Sequence, residues 1–199
     1  MSFPEVEVPL YTIRCTQILL KKLRLAPAAL AAIPESDTIL GDWYANRLNF
    51  GPHRLVLCVS ERSLLCAVVP ARELVSFPDR LRESVRGLLQ YLRIPAERID
   101  AELAAMQGHV FAKTASRTVL GSMNDFAVAA SWGLQGYPGP EALRALERDL
   151  VETPCGPLKY KCPAEKTREL FGVTGNWYRI RYPQSDLASN GRGHAPAET

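Results

Sequence analysis

Residues 9–16 (PLYTIRCT) alternate apolar and polar positions and are rich in β-formers, which predicts a strand. Thr16 then stands where a helix cap belongs. Ile18, Leu19 and Leu23 behind it form an apolar stripe beside Lys21, Lys22 and Arg24. An alanine-rich stretch between Pro27 and Pro34 has helical character. Three strands follow over residues 42–50, 53–60 and 63–70, separated only by Gly51-Pro52 and Glu61-Arg62, and links this short favour antiparallel pairing. The period then changes. Leu81, Val85, Leu88, Leu89 and Leu92 recur at helical spacing, with Asp79 as an expected N-cap. A second helix opens at Pro95, buries Ile99, Leu103 and Met106 and stops at Gly108.

A short strand is expected over residues 110–114. A helix over 118–132 follows, facing the core with Val119, Met123, Phe126, Ala127 and Ala130, and then another over 140–151. Pro154, Gly156, Pro157 and Pro163 break the pattern after that. Clustered strands and clustered helices predict an α+β fold with a single domain. Its sheet, of about five strands, should be mainly antiparallel and packed with four to six helices. The domain is expected over residues 1–156, with a basic C-terminal arm over 157–188 packed on it or extending it, and a disordered tail over 189–199.

Composition narrows the class without naming a function. The chain has 199 residues, 47% of them hydrophobic and 23% charged, enough for one well-buried core. No apolar run approaches the roughly 20 residues that span a bilayer, and the N-terminus MSFPEVEVP lacks the basic region of a signal peptide. No membrane association and a cytoplasmic location are therefore expected. Of the five cysteines, Cys15, Cys58 and Cys66 lie in apolar runs. Cys155 and Cys162 have no CxxC spacing, and His53, His109 and His194 are scattered. Reduced thiols, no metal and no cofactor are the expectation.

The net charge of +3 is unevenly spread. Acids and bases cancel over residues 1–156, whereas residues 157–182 hold Lys159, Lys161, Lys166, Arg168, Arg179 and Arg181 against Glu165 and Glu169. Within that arm Lys159, Lys161, Trp177, Arg179 and Arg181 interleave cations with aromatics, the chemistry that meets phosphates and stacked bases. The same alternation over residues 177–181 also describes an edge strand guarded by its charges.

The richest polar stretch is AKTASRTVLGSMNDF, residues 112–126. A strand ends at Thr114 and a polar turn delivers Ser116, Arg117 and Thr118 to a helix N-terminus, where free N–H groups and the helix dipole attract an anion. Arg117 adds a planar fork for phosphate or carboxylate. Asn124 and Asp125 fall away from the apolar face of the same helix. A second stretch, LGDWYANRL over residues 40–48, carries Trp43, Asn46 and Arg47, with Trp43 and Ala45 on one face and Tyr44 and Asn46 on the other. A structural reading stands beside the functional one at both places: Ser116 as a cap, Arg117 paired with Asp125, and Trp43 in the core.

The motif Trp43-Tyr44-Ala45-Asn46, followed far downstream by TASRTVLGSMND at residues 114–125 and preceded by Ile-Arg-Cys-Thr at residues 13–16, resembles a family of small bacterial proteins of unknown function, the DUF6933-type domain. The resemblance covers roughly residues 10–132 and implies no reaction.

Three functional readings stay open. The first is a binding module that holds an anionic, phosphate-bearing ligand, nucleic acid among the candidates, at residues 114–125. The second is a metal-independent enzyme on a phosphodiester or nucleotide, with Arg47 and Arg117 neutralising charge and Asp125 moving a proton. The third is a protein–protein interaction module without a small ligand. GxSxG, HExxH, P-loop and GxGxxG motifs are all missing.

Overall fold

Five strands and six α-helices form the fold in a computed structural model, which describes residues 10–25, 35–51, 53–72, 74–133, 140–175, 177 and 180. The strands are β1 (Leu10–Cys15), β2 (Trp43–Phe50), β3 (His53–Ser60), β4 (Cys66–Pro70) and β5 (Gly108–Lys113). The helices are α1 (Gln17–Leu23), α2 (Phe77–Tyr91), α3 (Ala96–Ala105), α4 (Arg117–Gly133), α5 (Pro140–Glu152) and α6 (Pro163–Leu170).

The sheet runs β4-β3-β2-β1-β5 and is mixed, the larger part antiparallel. The meander β2-β3-β4 pairs antiparallel, as its short turns require. Gly51, at φ 55°, makes the first of those turns in a conformation that favours glycine. By contrast β1 lies parallel to both β2 and β5. A helical segment separates β1 from β2, and α2 and α3 separate β4 from β5. The chain therefore returns to the same end of the sheet before each parallel strand begins. The α+β single-domain architecture follows from this arrangement.

Helices cover both faces. Residues paired in parallel register point to the same side, so Ile13 and Trp43 share one face while Arg14 and Tyr44 share the other. The charges of Asp79 and Arg82 act on the Tyr11 hydroxyl, which puts α2 on the Tyr11–Ile13–Cys15 face. A hydrogen bond from the Ser116 N–H to the Tyr44 hydroxyl sets the start of α4 over the opposite face. With both faces covered, β3 is buried from Leu55 to Ser60 without alternation.

Some expectations need correction. The strand expected from residue 63 begins at Cys66. Leu64 takes a left-handed φ of 58°, the Ser60 and Ser63 hydroxyls bond each other at 2.8 Å, and the Leu65 N–H turns inward to Ser60, so residues 61–65 form a turn. The strand expected over residues 110–114 runs two residues earlier at its start, because β5 pairs with β1 from Leu10 opposite Gly108. Asp79 does not cap α2, which begins at Phe77 after Ser76. Residues 163–170 are the helix α6, begun at Cys162, whose N–H bonds Glu165. It is fastened to the β3–β4 turn by a buried bond of 3.0 Å between Thr167 and Ser63. Trp177 and Ile180 have helical backbone where an edge strand was expected. The alanine-rich stretch at residues 27–34 and the tail at 189–199 lie outside the described residues.

The β4 edge is guarded. Its Val68 N–H donates to the Glu147 carboxylate of α5 at 2.8 Å, and the Ser84 hydroxyl of α2 reaches the same oxygen at 2.5 Å. An edge N–H that would otherwise be open to another strand is thus occupied.

No two of the five cysteines form a disulfide, and all are buried. Burial pushes the Cys15 thiol up to about 12 and the Cys58 and Cys66 thiols well above the usual range, which leaves little thiolate to react. Alkylation of the denatured chain without reductant should therefore label five thiols, read by intact mass. A chain two mass units light would show a disulfide and overturn this.

Candidate functional site

The α4 face of the sheet carries a row of polar side chains where β1 and β5 end. The parallel register sets Arg14 beside Tyr44 and Ala112, and Thr16 follows at the end of β1. Arg14 Nε donates to Asp42 Oδ2 at 2.7 Å, and its Nη1 lies 3.5 Å from the Lys113 carbonyl at the end of β5. Both partners of the Arg14–Asp42 pair are largely buried, at 15% and 7% side-chain exposure, so the pair is more than a surface ion pair. Thr16 Oγ1 donates to Asn46 Oδ1 at 2.9 Å.

Tyr44 links this row to α4. Its hydroxyl accepts the Ser116 N–H at 3.0 Å and donates to Glu61 at 3.5 Å. Burial pushes the phenol up, while the Ser116 N–H pulls it back, so Tyr44 stays neutral near pH 7 and both donates and accepts. Ser116 caps the helix by accepting the Val119 N–H at 3.3 Å. The first-turn N–H groups of Arg117 and Thr118 remain, and an α-helix offers them no acceptor of its own.

The structure thus divides the residues singled out in the sequence. Asn46, Thr114 and Ser116 come together at the strand ends, with exposed Arg117 opening the helix above them. Trp43 is wholly buried in the core. Arg47 leaves β2 on the same side as Trp43 and Ala45, away from α4. Asn124 and Asp125 lie two turns along α4, exposed on its outer face. Arg47, Arg117 and Asp125 therefore do not converge. Arg14, Asp42, Tyr44 and Glu61 complete the row and were missed. Tyr44 sat in view, because strand alternation had already placed it beside Asn46. The Arg14–Asp42 pair depends on the β1–β2 register, which no local pattern carries.

In the arm, Lys159 and Lys161 are exposed, but Lys161 and Lys166 both pair with Glu169. Arg179 and Arg181 lie outside the described residues. Arg168 is only 3% exposed and donates to the carbonyls of Leu92 and Thr174, at 2.7 and 3.1 Å. It thereby ties α6 to the C-terminus of α2, where a cation suits the helix dipole. Its guanidinium carbon sits 5.7 Å from the centre of the buried Trp177 ring. A pocket of about 490 Å³ opens beside them, lined in part by Lys161, Glu169 and Val173.

A family model described as "Domain of unknown function (DUF6933)" matches residues 12–166. The chain belongs to this family. The DUF6933 match runs from within β1 into α6, so it takes in β2 to β5, most of β1, the polar row and the start of the arm. No curated protein and no solved structure matches the chain. Among the described residues, no three His, Cys, Asp or Glu side chains group as metal ligands, and no helix is long and apolar enough to cross a membrane.

Proposed function

We propose that this DUF6933 protein is a binding module for a phosphate-bearing ligand, held at the N-terminus of α4. The observation that carries the reading is the bond from the Ser116 N–H to the Tyr44 hydroxyl, which docks the helix start onto the polar row. Arg117 opens that helix, so its exposed guanidinium and the first-turn N–H groups can share one anion. Asn46 and Thr114, partly exposed where the strands end, would orient whatever carries the phosphate. A nucleotide or nucleic acid is the ligand class this favours. Exposed Lys159 and Lys161 supply further cations for a longer strand. Five cysteines with no disulfide among them support a reducing, cytoplasmic setting.

Titration with inorganic phosphate, a mononucleotide and a single-stranded oligonucleotide, followed by amide chemical shifts, tests the proposal. Shifts should centre on residues 116–118. Arg117→Ala should weaken binding roughly tenfold or more, the worth of a charge-assisted hydrogen bond. It should cost the fold about 1 kcal/mol or less, because Arg117 is exposed. Unmoved amides at residues 116–118 with all three probes would overturn the site.

A further inference from the structure

Helix α6 buries a cation without giving it an anion. Arg168 is almost wholly buried, and two of its N–H groups donate to the carbonyls of Leu92 and Thr174. Among the described residues its Nε has no hydrogen-bond partner, and neither has Nε1 of the buried Trp177, whose ring lies beside the guanidinium. No carboxylate of the described residues pairs with Arg168. Glu169 is engaged by Lys161 and Lys166, and Glu165 by the Cys162 N–H. Burial disfavours the charged form of Arg168, and the neighbouring Arg93 charge does so further. A buried charge in this state is costly, and so is each donor left unbonded. Arg168 and Trp177 both line the pocket of about 490 Å³, a volume within the range of about 300–1,000 Å³ that small molecules occupy.

We propose that this pocket is a second ligand site, which takes a small carboxylate with an apolar body. A bound acid gives Arg168 the anion it lacks, and a planar guanidinium offers the fork that matches a carboxylate. One negative charge suits the site better than two, because Glu165 and Glu169 line the same pocket and repel a phosphate dianion. Val173 and Trp177 give the wall an apolar part, against which the rest of the molecule packs. None of these residues belongs to the α4 site, so the two sites are occupied independently.

Titration of the full chain with benzoate, followed by amide and indole N–H chemical shifts, tests this. Benzamide, which has the same shape without the charge, and inorganic phosphate are run beside it. Benzoate should move the amides of residues 172–175 and the Trp177 indole N–H, and saturate below about 10 mM, ten times a weak Kd of ~1 mM. Benzamide and phosphate should bind there about tenfold more weakly or less, the worth of a charge-assisted hydrogen bond. Val173→Glu brings a carboxylate of the chain's own to the pocket and touches neither carbonyl bond of Arg168, so it should abolish benzoate binding. Its thermal melt separates a blocked pocket from a lost fold. Arg117→Ala should bind benzoate as wild type does. The proposal is overturned by the lack of a saturating shift, by equal binding of benzamide, by shifts centred on residues 116–118, or by full binding in a folded Val173→Glu chain.

Discussion

Glu102→Ala is expected to lower the free energy of unfolding by about 3 kcal/mol. Glu102 is 1% exposed, and its carboxylate accepts the Ile39 N–H at 2.7 Å and the Leu40 N–H at 3.1 Å. Removing it orphans two backbone donors, one of them fully buried, each costing about 1–3 kcal/mol, and leaves a void beside Leu103 as well. Burial pushes the carboxyl up, and the two N–H groups and Arg62 offset part of that rise. Glu102→Gln should lose roughly half as much, since only one of its amide atoms accepts and the other would face a donor. Urea unfolding of the three chains gives the comparison. A loss below about 0.5 kcal/mol in the alanine variant, the range of an ordinary surface substitution, would show that α3 does not hold the 38–42 segment.

Much of the fold was readable because the local signals were strong. Leu81, Val85, Leu88 and Leu89 repeat at a helical period, and all four are buried on α2. The links between β2, β3 and β4 are too short for anything but a meander. The sense of β1 was not readable. A strand followed by a helix can join a sheet either way, and only its pairing with β2 and β5 shows the parallel sense. The arm misled for a different reason: its charges drew attention while its burial went unseen. Arg168 reads as a surface cation, yet it is buried against carbonyls, and Thr167 beside it reaches Ser63 across the core.

The site was half readable on the same principle. Period-two alternation placed Tyr44 and Asn46 on one face of β2, and a serine before an apolar run marked the α4 cap. Grouping Arg47 with Asn46 ignored that alternation, since neighbouring strand residues point to opposite faces. Asn124 and Asp125 were linked to the turn by nearness in sequence, whereas a helix carries them two turns away. Arg14 and Asp42 meet only through strand pairing.

Glu147→Gln is expected to remove a pH dependence worth about 3 kcal/mol. Burial raises the Glu147 carboxyl from its ordinary 4.5 to about 7, although Ser84, the Val68 N–H, Arg144 and Arg148 all pull it down. Because the folded value lies above the unfolded one, the contribution to stability is complete below about pH 4.5. It is lost as the pH rises through 7, where the fold must hold a buried carboxylate. The amide of Gln keeps the bond from the Val68 N–H and can donate to Ser84, so it imitates the protonated acid without titrating. Other titrating groups are common to both chains and cancel in the comparison. The two should therefore unfold at similar urea concentrations near pH 4.5. The Gln variant should then gain on wild type up to about pH 7 and level off above it. A difference that stays constant with pH would mean that Glu147 titrates as an ordinary carboxyl. It would also mean that the β4 edge is guarded by a permanent charge, leaving that closure indifferent to pH.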